Sequence, residues 1–374
     1  MVLAVVAGAL IITGTLWETF ETIILPRRVS RRLRLTVLVY RMIWLPWRAI
    51  AHRFRKANSR ETFLSFFGPL SLLILFSFWA VSIIFGFGLI YYGAARGTVG
   101  APSFATRMYL SGTTMFTLGL GDVVPHTWTE RVLVVVESGI GFGFLALVLS
   151  YLPVIYQAFS RREVHIVLLD ARAGSPPTAA ELLRRHSGTQ GSADLEKLLA
   201  DWELSAAEIL ESHVSYPAVA YFRSQHNNES WLAAMTAILD TTALLLTSVD
   251  GPCVRQARLT FAICRHAVVD LAQVFNAVPR RVATDRLPRA EFERMRAVLT
   301  AAGFSIRSTD ADCKKLIELR EMYEPYLHGL SEFLYMPLPP WILAKEITDN
   351  WRTTAWGRIT GFSAAREEPD AHHD

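Results

Sequence analysis

The sequence predicts an all-α membrane protein with a helical soluble half. Three observations lead there: long uncharged apolar runs before residue 160, a basic block with no acidic counterpart, and helix-period patterns with repeated start signals in the second half. The chain has 374 residues, 51% of them hydrophobic, and a mean hydropathy of +0.26. That is too apolar for an ordinary soluble protein and too polar for one embedded throughout. Cys253, Cys264 and Cys313 form no CxxC pair and are odd in number, which argues against a disulfide framework or a zinc site.

Residues 1–17 carry no charge, the apolar run resumes through Leu25, and Pro26-Arg27-Arg28 closes it. At about 1.5 Å per residue this run covers a ~30 Å hydrocarbon core, so residues 1–26 are expected to span. A cleaved signal peptide fits less well, because a positive n-region and a small-residue cleavage site are missing. Between Arg27 and Arg60 fall eleven Lys or Arg and no Asp or Glu. Short loops rich in these residues stay in the cytoplasm, which puts the N-terminus outside. Glu18 and Glu21 lie near the inner end, placed to meet those arginines. From Leu33 to Ile50, aliphatic residues, Tyr40, Trp44 and Trp47 interleave with Arg34, Arg41 and Arg48. Residues 27–60 therefore read as an interfacial segment that attracts anionic lipid, not nucleic acid.

No charge falls between Glu61 and Arg96, so a helix over 63–94 is expected to cross from inside to outside. A third span, within a helix over 129–160, ends at Arg161-Arg162. The shorter piece between them reads SFATRMYLSGTTMFTLGLGDVVP, Ser103 to Pro125. Ser103 suits an N-cap, and a helix over 104–116 has a length of ~20 Å, too short to span but suited to re-entry. It breaks into Thr117-Leu118-Gly119-Leu120-Gly121-Asp122. Glycines at alternate positions allow successive carbonyls to point to one side, and four such strands around an axis stack rings of oxygens that replace a cation's hydration shell.

This stretch resembles the signature filter of potassium channels, whose usual form is Thr-Val-Gly-Tyr-Gly-Asp, in its usual place after a short helix between two spans. The resemblance implies a pore domain over 61–162: an outer helix, a pore helix, a filter over 117–122 and an inner helix. It implies that permeating K+ is coordinated by the carbonyls of Thr117, Leu118, Gly119 and Leu120 and by the Thr117 hydroxyl, with Gly121 and Asp122 closing the outer mouth. One filter per chain implies a homotetramer. The pore helix would also aim the negative end of its dipole at the cavity beneath the filter. Leu118 in place of Val is a mild departure. Leu120 in place of an aromatic removes a ring that packs and hydrogen-bonds behind the filter, which makes strict potassium selectivity a separate question from cation conduction. Gly86-Phe87-Gly88 and Gly141-Phe142-Gly143 lack the preceding Thr and following Asp, and are expected to serve helix packing or bending.

Thr127 with Glu130 forms a capping box before the third span. Glu137 lies one to two turns inside it. A carboxylate at that depth pairs, faces water or is protonated, so ion attraction or gating stands beside a bond to the pore-helix region. Gly139, Gly141 and Gly143 are candidate hinges, with packing against the pore helix as the equal alternative, and Pro153 is a candidate kink.

Gly174-Ser175-Pro176-Pro177 breaks the pattern, so residues 163–177 read as a linker and 178–362 as a helical cytoplasmic domain. Thr178 with Glu181, Ser205 with Glu208, and Ser192 before Leu195 mark helix starts. Asp240 interrupts the apolar run near Trp231–Val249, and Arg265, His266 and Asp270 interrupt Leu259–Val278, so both read as buried soluble helices. His266 and Asp270 are one turn apart, more simply a solvated pair than metal ligands. His165 to Asp170 resembles the opening strand of a nucleotide-binding regulatory domain, but Ala171-Arg172-Ala173-Gly174 lacks GxGxxG, so that domain is not expected. Trp341, Ile347, Trp351 and Trp356 suggest a segment that docks on the membrane or a neighbour, against ordinary core packing. Residues 363–374 read as a disordered tail.

The leading expectation is a non-enzymatic, tetrameric potassium-type channel in a cell membrane, a prokaryotic inner or plasma membrane, with cytoplasmic helices for assembly or gating. The alternatives are a weakly selective cation pore and a membrane-anchored sensor or scaffold with a vestigial pore, which the intact signature argues against. No cofactor and no catalytic constellation is indicated, and no motif specifies a gating ligand. A voltage sensor is not expected, since no spanning helix carries regularly spaced arginines.

Overall fold

A computed structural model describes residues 2–25, 35–95, 103–188, 191–226, 228–249 and 253–345. The basic run Arg27–Arg34, the positions Ile347, Trp351 and Trp356 and the 363–374 tail lie outside the described residues. Helices α1 (Val2–Ile23), α2 (Leu35–Ala51), α3 (Ala57–Ser65), α4 (Phe67–Ala95), α5 (Phe104–Met115), α6 (Trp128–Ala173), α7 (Ala179–Arg185) and α8 (Gly191–Ser215) lead to α9 (Trp231–Thr247), α10 (Val254–Val274), α11 (Arg289–Ala301), α12 (Asp310–Glu321) and α13 (Glu324–Leu334). No strand occurs among the described residues, only an isolated bridge between Val249 and Ile306. Among the described residues, three stretches are long and apolar enough to cross a membrane: Val2–Ile23, Ala57–Ala94 and Trp128–Ala173. The chain is a multi-pass membrane protein.

The chain folds as two units. The first holds the residues up to Ser160 together with Ser212–Arg223. Within it α1 and α4 pack at backbone distance, since a Cβ on Gly8 would fall 2.4 Å from the Gly86 carbonyl oxygen. Gly88 makes room for a side chain of α5, since a Cβ there would meet the Met108 sulfur at 2.4 Å. The Gly86-Phe87-Gly88 run thus serves packing. Glu18 accepts the Thr36 backbone N–H at 2.9 Å on its Oε1, at the start of α2; the nearest arginines of the basic block, Arg27 to Arg34, lie outside the described residues. That bond satisfies one of the orphan donors of a helix start.

Beside α2 and α4, the short 3-10 helix Pro217–Tyr221 completes an aromatic cluster. The Tyr221 ring stacks on Tyr40 at 5.6 Å and lies 5.2 Å from Trp44 and 5.1 Å from Phe67. These rings are all buried.

The second unit comprises Arg161–Glu211 and the chain from Ser224 onward. Its core is α9, buried along nearly its whole length. The sequence places a linker at 163–177, yet α6 runs unbroken to Ala173. Nothing stops it before Gly174, whose φ of +82° ends the helix, with Pro176 following. Ser205 is no helix start but lies buried inside α8. Thr178 does cap α7, accepting the Glu181 N–H at 3.2 Å.

Asp240 is wholly buried yet satisfied. It accepts two hydrogen bonds from Arg286, the shorter 2.7 Å, and one from the Tyr323 hydroxyl at 2.7 Å. Burial pulls the Arg286 guanidinium down, but Asp240 and Glu324 beside it hold it above its ordinary range. The Arg286 and Arg320 guanidinium groups lie 5.8 and 5.5 Å from the Trp341 ring centre. Trp341 is therefore core of this unit and not a docking residue.

Candidate functional site

The first turn of α5 is capped as the sequence predicts, with the Ser103 hydroxyl accepting the Thr106 N–H at 3.2 Å. At its other end the chain turns back on itself. The Thr114 carbonyl accepts the Thr117 N–H at 3.0 Å, and the Thr113 carbonyl accepts those of Leu118 and Gly119 at 2.8 and 3.3 Å. The amides of 117–119 are thereby spent on α5, while no described residue donates a hydrogen bond to the carbonyls of Thr117 through Gly121. Thr117, Gly119 and Gly121 have φ of +55°, +54° and +79°, left-handed at every second residue, and Leu118 and Leu120 between them do not. Such alternation turns successive peptide planes in one sense. Two glycines make it affordable, and at Thr117 it carries strain of about 1–2 kcal/mol.

The side chains of Leu118 and Leu120 point away from their own chain, 62% and 64% exposed. Asp122 instead lies beside the Tyr109 hydroxyl on α5.

Two buried polar clusters hold α5 against its neighbours. Arg107 pairs with Glu130 at 2.8 Å, both side chains 3% exposed. Glu130 also accepts the His126 and Thr127 N–H groups at 2.8 and 3.3 Å, and its own N–H bonds to the Thr127 hydroxyl at 3.2 Å, the predicted capping box. Glu137 is completely buried. Its carboxyl meets the Tyr91 hydroxyl of α4 at 2.7 Å and the Ser111 hydroxyl of α5. The structure thus brings Glu137 to hydroxyls of two other helices and away from water.

The glycines of α6 separate. A Cβ on Gly141 would strike the Met115 carbonyl oxygen at 2.1 Å, whereas Gly139 and Gly143 have no atom within 4 Å of theirs. Gly141 is a packing residue, and the other two are unobstructed. Pro153 sits inside an unbroken α6. His266 and Asp270 lie 3.5 Å apart with the histidine 57% exposed, and among the described residues no group of three His, Cys, Asp or Glu is placed to hold a metal.

Comparison with known proteins points the same way. Residues 73–157 match an ion-channel family model. The match runs from within α4 through α5 and the 117–122 turn into α6, so the geometry above falls inside the matched segment. The chain is also 24% identical over 184 residues to the "uncharacterized membrane protein YdjJ" of Bacillus subtilis (strain 168), covering 47% of this chain and 52% of that one. The chain thus spans about half the length of this curated relative. No solved structure matches.

Sequence reasoning passed over Tyr91, Arg107, Tyr109 and Ser111. A signal existed for Arg107, a lone charge in the middle of an otherwise uncharged 104–116 run, with Glu130 the first opposite charge of α6. Tyr91 and Ser111 carry none, because their value lies in facing Glu137 across helices.

Proposed function

We propose that four copies of this chain surround an axis and conduct potassium-type cations, coordinated by the carbonyls of Thr117, Leu118, Gly119 and Leu120 and the Thr117 hydroxyl. The observation that carries the reading is the left-handed φ at Thr117, Gly119 and Gly121, on carbonyls that take no hydrogen bond from a described residue. A ring of such oxygens replaces water around a dehydrated cation. Exposure of Phe116, Leu118 and Leu120 on the single chain, 59%, 62% and 64%, supports assembly, because apolar groups at a filter need neighbours to cover them. Gly121 and Asp122 form the outer mouth, with Tyr109 beside the carboxylate. Gly139, Gly143 and Pro153 are the gating candidates. The basic segment 27–60 meets anionic lipid, the N-terminus lies outside, and the second unit is cytoplasmic, serving assembly or gating.

A weakly selective cation pore is the second reading, favoured by Leu120, whose side chain has no group to hydrogen-bond behind the filter. The deciding experiment is the reversal potential of purified protein in planar bilayers under potassium/sodium bi-ionic conditions, with Gly119→Asp as the dead-pore control. Reversal near the potassium potential, abolished by the control, supports selective conduction. Reversal near zero selects the weak pore, and silence at every pH, voltage and lipid refutes both.

A further inference from the structure

Three contacts at Glu137 and its partner Ser111 share too few protons to be satisfied by a carboxylate. The Tyr91 hydroxyl donates to Oε2 at 2.7 Å. The Ser111 hydroxyl meets both Oε1 of Glu137 and, at 2.9 Å, the Ile84 carbonyl oxygen. A hydroxyl owns one proton and a carbonyl none, so Ser111 cannot donate to both oxygens at once. Whichever it serves, the other contact is left as two oxygens facing each other without a proton, unless Glu137 supplies one. A carboxylic acid closes the set: Tyr91 donates to Oε2, Glu137 donates through Oε1 to Ser111, and Ser111 donates to Ile84.

The electrostatics agree. A lone carboxylate in a fully buried site is costly without a cation. Among the described residues, Glu137 meets the titratable Tyr91 of α4, and Tyr91 in turn feels Arg107 of α5 and Glu130 of α6. Arg107 is committed to Glu130 at 2.8 Å. Ser111 lies on α5, whose final carbonyls, Thr113 and Thr114, hold the amides of Thr117, Leu118 and Gly119. Where α5 sits along its axis therefore fixes the alternating backbone that follows it.

We infer that Glu137 is held as a neutral carboxylic acid and acts as a positioning residue for the filter, locking α5 to α4 from α6. The role in conduction rests on the cation-channel reading, while the protonation state does not. Loss of the proton as pH rises breaks the bond to Ser111, frees α5 and relaxes selectivity.

The test joins a spectrum to a current. Infrared spectra of the purified protein should show a buried carboxylic-acid C=O band that Glu137→Gln removes. In bi-ionic bilayers Glu137→Gln, which keeps a donor and an acceptor, should hold the wild-type reversal potential and lose its drift with rising pH. Glu137→Ala and Ser111→Ala should lower the potassium-over-sodium permeability ratio about tenfold, the scale of one lost buried hydrogen bond. A wild-type spectrum without the acid band overturns the inference, as does a Gln variant no more selective than the Ala variant. Because the band needs no ion flow, a silent wild type that shows it refutes the channel reading and the filter role, yet leaves the neutral acid standing.

Discussion

Replacing Gly141 by alanine tests how α6 and α5 meet, because two effects of known size oppose each other there. A Cβ at Gly141 would stand 2.1 Å from the Met115 carbonyl oxygen and 3.0 Å from its carbon. Carbon and oxygen rest at about 3.3 Å or more, so α5 has to retreat by roughly 1 Å. In an unobstructed helix interior Gly→Ala stabilises by about 1 kcal/mol. Forcing an extra carbon into a packed site costs about 1–3 kcal/mol, and so short a contact with backbone belongs at the upper end. The net expectation is a loss of about 2 kcal/mol, opposite in sign to the helix-propensity effect. Gly139→Ala and Gly143→Ala, with no atom within 4 Å, should be neutral or stabilising. Thermal unfolding of the three variants in one detergent makes the comparison. Since Thr117 follows Met115 by two residues, Gly141→Ala should also move the bi-ionic reversal potential toward zero. A Gly141→Ala protein as stable as Gly139→Ala, with reversal unchanged, would show that α6 does not press on α5 here.

Asp240→Ala should cost about 2–3 kcal/mol, because it removes one of the two carboxylates on a buried guanidinium, leaving Glu324, and takes the acceptor from the Tyr323 hydroxyl; proteolysis of the second unit would read the loss, and Tyr323→Phe should cost only about 1 kcal/mol. Arg107→Met leaves Glu130 buried without its cation and should lower the melting temperature more than Arg131→Met does. Burial holds the imidazoles of His186 and His328 below their ordinary value of 6.5. Below that pH the unfolded chain binds the more protons, so stability is whole above about 6.5 and declines as pH falls. Melting at several pH values should show this slope, flattened in His186→Gln and His328→Gln; a slope of opposite sign would contradict the burial.

Much of the first unit was legible because lipid imposes simple rules: uncharged length marks the spans, and the glycine pair at 119 and 121 marks the backbone that cannot be helical. The caps at Ser103, Thr127 and Thr178 were legible for the same local reason, a hydroxyl three residues ahead of the N–H it accepts. Glu137 was noticed as a buried charge, but its partners Tyr91 and Ser111 come from other helices and have no local signature. The end of α6 was misplaced because Arg161-Arg162 reads as a membrane boundary, and a membrane boundary need not end a helix. Ser205 with Glu208 reads as a start in the sequence because a capping pattern inside an amphipathic helix looks the same as one before it. Trp341 was misjudged because its ring sits beside Arg286 and Arg320, a pairing that sequence distance conceals.

The cluster of Tyr40, Trp44, Phe67 and Tyr221 also has a temporal side. Every spanning helix among the described residues has been synthesised once Ala173 is made, yet the membrane unit still lacks Tyr221, the ring that touches Tyr40, Trp44 and Phe67. Arg161–Glu211 has to emerge before Ser212–Arg223 can return to its place in the first unit. Synthesis therefore passes through an interval in which the membrane part is inserted but unfinished, and a chain stopped at Ser160 would be arrested there for good.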